Sequence, residues 1–241
     1  LAAGQERVEE YPVTDAYLNL MGAYISEGTT SKRLKNGDAS VLAFEQKIGN
    51  RLFSIMDQVS TEFTLMEYSY PARRDTVIWT LANREVAKKL TEECGQGSRN
   101  KKLPTWVLNL SSRQSDVLVN AMIAGDGTVH KSGGFVYYTS SVQLANDLQA
   151  LTITSGRRTS VRGPYDTAQM YQVLIKDRED GKTMSIRGRD FKTEHVETNI
   201  VCFSVPNETL VTRFKGKVAM IGNTKFAYHA VRLGVQGIQL M

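Results

Sequence analysis

Cysteine is nearly absent from this chain: Cys94 and Cys202 are the only two in 241 residues, and neither has a CxxC partner. Neither a disulfide framework nor a zinc site follows from such usage, and a reducing, intracellular setting is expected. No apolar run approaches the length needed to cross a bilayer, so no membrane partner is expected. An initiator methionine and a charged-then-apolar leader are also missing, and the opening at Leu1 reads as a fragment or a processed product. Charge of one sign is not abundant either. The net charge of +5 is a mild bias toward polyanionic partners and decides nothing alone. What is present is a globular composition, 41% hydrophobic and 23% charged, long enough for one large domain or two small ones.

Within it lies a repeat. The run Leu20-Met21-Gly22-Ala23-Tyr24-Ile25-Ser26-Glu27-Gly28 returns in altered form as Val119-Asn120-Ala121-Met122-Ile123-Ala124-Gly125-Asp126-Gly127. Each copy is an apolar stretch closed by a carboxylate and a glycine. Small residues fall in matching places, Gly22 and Ala121, where they would let two helix backbones approach closely. If the helices pack side by side and parallel, Glu27 and Asp126 arrive together at one end. For each carboxylate two readings stand open: a residue that merely ends a helix, or a metal ligand. A helix C-terminus is an unfavourable place for negative charge, which favours the second reading.

The rest of the chain is organised around these runs. Residues 1–14 read as a linker, with a helix N-cap at Thr14 or Asp15. A helix to Ser26 is followed by a hairpin, residues 29–34 and 40–46, turning at Asn36-Gly37. A helix over 48–59, strands over 63–70 and 76–81, and a helix over 84–94 complete a first unit, 15–98. The second unit, 99–180, repeats the order: helix 115–124, hairpin strands 128–130 and 135–139, helix 141–153, strands 159–163 and 170–176. From residue 181 the texture changes to short β strands, including 209–213 and 217–221. The fold class expected is α/β (α+β), a pseudo-twofold repeat of helix-hairpin-helix-hairpin-helix units followed by a β-rich part.

The paired motifs, their spacing and the lead-in "KKLPTWVLNLSSRQSDVLVNAMIAGDGTV" resemble the LAGLIDADG homing endonucleases in their two-motif, single-chain form, in particular those embedded in inteins. The resemblance covers residues 15–180. It implies site-specific double-strand cleavage of a long DNA target, with Glu27 and Asp126 binding Mg2+ and the backbone carbonyls of Ser26 and Gly125 as supporting ligands. Lys176 stands where the family often has a lysine that polarises the attacking water, and Asn83 is the matching place in the first unit. A solvated surface lysine is the plain alternative. The implied DNA surface comprises Lys32, Arg33, Lys35, Lys47, Arg73 and Arg74, then Lys131, Arg157, Arg158 and Arg162, with Gln46, Tyr137 and Thr139 reading base edges. Any one of these basic residues is also an ordinary surface charge.

The closing stretch "NIVCFSVPNETLVTRFKGKVAMIGNT" is similar to the C-terminal end of an intein, a Hint-like splicing part over 181–223. Asn223 then holds the position that cyclises and Thr224 that of the acceptor nucleophile, with 224–241 as C-extein. Gly222 stands where most inteins carry histidine, and the N-terminal splicing block is missing, so splicing would need a further N-terminal piece in trans. The expected protein is a monomer acting on double-stranded DNA in the cytoplasm of a phage-bearing or microbial host. A DNA-binding remnant without cleavage, and a splicing-only fragment, are the competing functional readings.

Overall fold

In the computed structural model, residues 7–31, 41–47, 51–70, 73–131, 133–165, 169–176, 205 and 209–222 are described. Lys32, Arg33, Lys35, the Asn36-Gly37 turn, Asn223, Thr224 and the segment 224–241 lie outside them. The chain divides near residue 178 into two compact units, Ala3–Arg178 and Glu179–Met241.

The first unit is built on helix α1 (Asp15–Ser26). Thr14 starts it, its side chain accepting from Tyr17 N, the capping geometry expected of a threonine ahead of an apolar run. Every residue from Ala16 to Ile25 is buried, the one amide, Asn19, donating to Gln58 Oε1, so this helix forms the centre of the unit rather than its wall. Strands β1 (Gly28–Ser31) and β2 (Val41–Lys47) follow, then α2 (Leu52–Val59), β3 (Met66–Tyr70), β4 (Arg73–Leu81) and α3 (Arg84–Cys94). The four strands pair antiparallel in the order β1-β2-β4-β3. Asn83 caps α3, its side chain accepting from Val86 N.

The second half repeats the plan. A short 3-10 helix, Thr105–Asn109, leads into α4 (Ser112–Asp126), which opens on a full capping box between Ser111 and Gln114. Strands β5 (Gly127–Val129) and β6 (Phe135–Thr139), helix α5 (Val142–Thr154), and strands β7 (Thr159–Tyr165) and β8 (Met170–Ile175) complete it. The sheet order is β5-β6-β8-β7, the same as in the first half. Helix α4 begins three residues before the expected 115, because the capping box recruits Ser112 to Gln114 into its first turn.

Helices α1 and α4 meet along their lengths and run parallel, residue 22 beside 121 and residue 26 beside 125. A Cβ added at Gly22 would stand 2.5 Å from the Ala121 Cβ and 3.0 Å from the Leu118 carbonyl oxygen; one at Gly125 would stand 2.5 Å from the Ser26 Cβ. No real Cβ pair comes so near, so glycine is what permits this spacing. One hydrophobic core runs through both halves, from Leu42, Phe44 and Trp79 across Tyr24, Leu118 and Met122 to Tyr137, Leu148 and Val173.

Residues 7–14, read from the sequence as a linker, are docked instead. Gln114, 1% exposed, accepts from Tyr11 N through Oε1 and donates to Tyr11 O through Nε2, while Tyr11 stacks on Trp106 at 5.4 Å between ring centroids. Arg7 N donates to Ser112 Oγ at 2.9 Å, and the Arg113 guanidinium bridges Glu10 and Asp15. The polar texture that reads as solvated chain is here a set of hydrogen bonds tying the start of α1 to the start of α4. In the second unit the described structure is an antiparallel hairpin, β9 (Thr209–Phe214) with β10 (Lys217–Gly222). Among the described residues, no helix is long and apolar enough to cross a membrane.

Candidate functional site

Because α1 and α4 are parallel and in step, their C-terminal ends coincide. Glu27 caps α1 and Asp126 is the last residue of α4. Both line one cavity of about 620 Å³, together with Ser26, Gly28, Lys101, Tyr137, Tyr138 and Thr139. Two carboxylates so placed oppose both helix dipoles and each other. The consequence appears at Asp126, whose carboxyl is pushed up to about 7, first by burial and then by the Glu27 charge, with Lys101 opposing. A pair of acids held at this expense of solvation is chemically suited to hold a cation.

The anionic groups of this site are carboxylate oxygens alone, and among the described residues no group of three or more His, Cys, Asp or Glu side chains is placed to hold a metal ion. Two hard carboxylates beside the helix-end carbonyls fit magnesium, which takes few protein ligands and completes its octahedron with water and phosphate oxygens. They do not fit a structural zinc site, which takes four cysteine and histidine ligands in a closed tetrahedron. Glu27 and Asp126 are the residues that would hold the ion.

Lys101 is the residue that the sequence did not single out. It lies in a basic loop beside Lys102, and nothing in the string separates the two. Yet Lys102 is exposed and Lys101 is 4% exposed. Its Nζ donates to the carbonyls of Tyr24 at 2.6 Å and Gly28 at 3.2 Å and lies 3.2 Å from the Tyr24 ring centroid. It thus caps the very helix end that carries Glu27. Burial lowers this ammonium to about 8. Cys94 is buried nearby, but its thiol is pushed up to about 12 by burial and is uncharged at neutral pH, so Asp126 is the anion that Lys101 meets.

Beneath the carboxylates, Ser26 Oγ donates to Met122 O at 2.9 Å and lies 3.2 Å from the Tyr137 hydroxyl. Tyr137 is fully buried, and burial, with Asp126 adding, raises its phenol well above the ordinary range. This overturns the expectation that Tyr137 reads base edges. The same holds for Thr139, 7% exposed and on the same face of β6. The register explains both: Tyr137 stands opposite Val173, which is fully buried, so the odd-numbered residues of β6 face the helices and Val136 and Tyr138 the other side of the sheet, where Val136 is itself buried. Tyr138 is the outward neighbour.

Arg157 is also placed otherwise than expected. Its guanidinium pairs with Asp116, Nε to Oδ1 at 3.0 Å, and the side chain is 12% exposed, so it ties α5's end to α4 rather than facing a ligand. Lys176 follows β8, donates from Nζ to the Gly133 carbonyl at 3.1 Å, and is not among the residues lining the cavity; the lysine there is Lys101. Lys131, Arg158 and Arg162 are exposed on the second half. Lys47 ends β2 opposite Thr76, Gln46 stands opposite Val77, and Arg73 and Arg74 begin β4.

No family model matches the chain. Among curated proteins it is similar to the ATP-dependent Clp protease proteolytic subunit of Chlamydomonas moewusii, 26% identical over 167 residues, 68% of this chain and 16% of that protein. It is also similar to the DNA-directed RNA polymerase subunit beta C-terminal section of Stigeoclonium helveticum, 22% identical over 266 aligned positions, 88% of this chain and 24% of that protein. The chain thus spans less than a quarter of either relative. Among solved structures, it is similar to I-DmoI in complex with DNA and Ca, with 11% identity and a TM-score of 0.48 over 68% of this chain and 84% of that one. It is likewise similar to the homing endonuclease I-WcaI bound to its DNA recognition sequence, with 14% identity and a TM-score of 0.40 over 68% and 77% of the two chains. The I-LtrWI LAGLIDADG homing endonuclease bound to target DNA gives 12% identity and a TM-score of 0.36, over 68% and 80%.

Proposed function

We propose that this chain is a magnesium-dependent, site-specific DNA endonuclease of the two-motif LAGLIDADG kind, carried within an intein. The observation that carries the reading is the pair of carboxylates, Glu27 and Asp126, brought from two repeats to the coincident ends of two parallel helices beside a buried lysine. Two open-faced sheets of matching strand order flank that pair, one for each half of a duplex.

Magnesium held by Glu27 and Asp126 would supply Lewis-acid stabilisation of charge on the phosphate and its leaving oxygen. The chain's own residues do the rest. Glu27 and Asp126 concentrate the cation and fix the point at which the duplex is cut. Burial brings the Lys101 ammonium down to about 8, so it can hold a proton beside the cavity or stabilise developing negative charge. The packed interface of α1 and α4 keeps the acids from moving apart, which positions the reacting phosphates.

The intein setting is supported by the names of the similar proteins. A protease subunit and a polymerase subunit share no activity, yet each resembles this chain over only 16% or 24% of its length. A segment shared by two such hosts behaves as an insertion. In that reading Asn223 and Thr224 mark the downstream junction, and Lys32, Arg33 and Lys35 would contact the DNA.

Incubation of the chain with a plasmid library bearing randomised inserts, with magnesium, tests the nuclease. Selective linearisation of a subset that shares one sequence is expected, lost in Asp126→Asn with binding retained. A library left entirely supercoiled by the unmutated chain would overturn the nuclease reading.

A further inference from the structure

We infer that one lateral row of the second sheet, Arg162 on β7 beside Gln172 on β8, reads a guanine next to an adenine in one half of the target, and that the other half lacks this step. The inference rests on the proposed function and names the substrate more closely.

The placement follows from register. Arg162 pairs with Gln172, and Gln172 on its other side with Tyr138 of β6. Val161 and Val173, the neighbouring row, pack into the core, with Val173 fully buried. Successive strand residues point to opposite faces, so Arg162 and Gln172 stand on the face turned away from α4 and α5. Arg162 is exposed there and Gln172 half-buried.

Their chemistry is specific. A guanidinium donates two parallel hydrogen bonds to guanine O6 and N7, while a carboxamide both donates to and accepts from adenine at N7 and N6. The spacing agrees: adjacent strands lie about 4.8 Å apart, nearer to one base step of about 3.4 Å than to two. With the row laid along the duplex axis, neighbouring strands address neighbouring base pairs.

The first sheet answers differently at the same places. Gly28 pairs with Phe44 as Gly127 does with Tyr137, which aligns the two sheets residue for residue. Following the register outward, Trp79 corresponds to Val173, Ile78 to Gln172 and Tyr68 to Arg162. Ile78 has no donor, and Tyr68, 50% exposed, turns its hydroxyl to the Met66 sulfur at 3.4 Å. Such a row suits a thymine methyl group, not a guanine. The target is therefore asymmetric at mirror-related positions.

The test is a binding selection of the whole chain from a randomised duplex library, repeated with Arg162→Ala, Arg162→Lys and Gln172→Ala. The unmutated chain should enrich a guanine beside an adenine. Arg162→Ala and Arg162→Lys should both relax the guanine column by about 5- to 150-fold and leave the adenine. Lysine keeps the charge but not the fork, which separates base reading from phosphate contact. Gln172→Ala should relax the adenine alone. Thermal melting of each variant checks that it is folded. Columns that stay unchanged in folded variants overturn the inference while leaving DNA recognition intact, whereas a library from which the unmutated chain enriches nothing overturns the proposed function as well.

Discussion

Replacing Asp126 with asparagine should make the metal-free protein more stable while abolishing cleavage. The Asp126 carboxyl is raised from 3.8 to about 7 by burial and by Glu27. At ~1.36 kcal/mol per pH unit the full displacement is worth about 4 kcal/mol. The group is only partly enclosed, and solvent screening brings this to roughly 2 kcal/mol. A carboxyl raised in the folded state leaves stability untouched below its unfolded value and weakens the fold progressively as pH climbs toward the folded one. The gain from asparagine should therefore be absent near pH 4, grow between pH 4 and 7, and be complete at pH 8. Urea unfolding in EDTA at pH 4, 6 and 8 measures it. Adding magnesium should reverse the ranking: at a free concentration of about one hundred times Kd, binding adds ~2.7 kcal/mol to the unmutated chain and little to the variant. A difference equal at pH 4 and pH 8, or an asparagine variant less stable at pH 8, would refute the account of this site as two acids held in mutual repulsion.

Lys101→Met should leave the fold intact and slow cleavage at least about 100-fold, the scale of a lost proton donor or acceptor, measured as linearisation of a selected target plasmid. Gly22→Ala should cost about 1–3 kcal/mol in urea unfolding, since its new methyl would meet Ala121 Cβ at 2.5 Å. Gln114→Ala should cost about 2–3 kcal/mol, because the amide is buried and serves both the capping box and the Tyr11 backbone. By contrast, Arg113→Ala, which removes an exposed ion-pair network, should change stability by less than about 1 kcal/mol and progressively less as salt is added.

The start of α1 and the duplicated order of elements were legible in the sequence, because Thr14 is a capping residue set before an apolar run and the repeat doubles the signal, whereas the start of α4 was read three residues late because the Ser111–Gln114 capping box precedes the apolar run. The approach of Gly22 to Ala121 was legible for the same reason: small residues at one place in both copies mark where two helix backbones touch. Strand facing was not. Phe135-Val136-Tyr137-Tyr138-Thr139 is apolar or aromatic at both parities, so alternation gives no face, and only the pairing of Tyr137 with Val173 decides it. Lys101 escaped notice because its burial comes from Tyr24 and Gly28, more than seventy positions away. Residues 7–14 looked like linker because their polar groups are spent on Ser112 and Gln114, partners about a hundred residues distant.

The seam between α1 and α4 has room for one side chain at each level. Gly22 faces Ala121, and Gly125 faces Ser26, so at both levels glycine stands on one helix and a small side chain on the other. The allotment is reversed from one level to the next. A methyl gained on either helix must be surrendered by its partner, which makes substitutions at these four positions acceptable only as exchanges. The two halves of this chain can diverge freely on their outer sheets, but along the seam they are bound to change together.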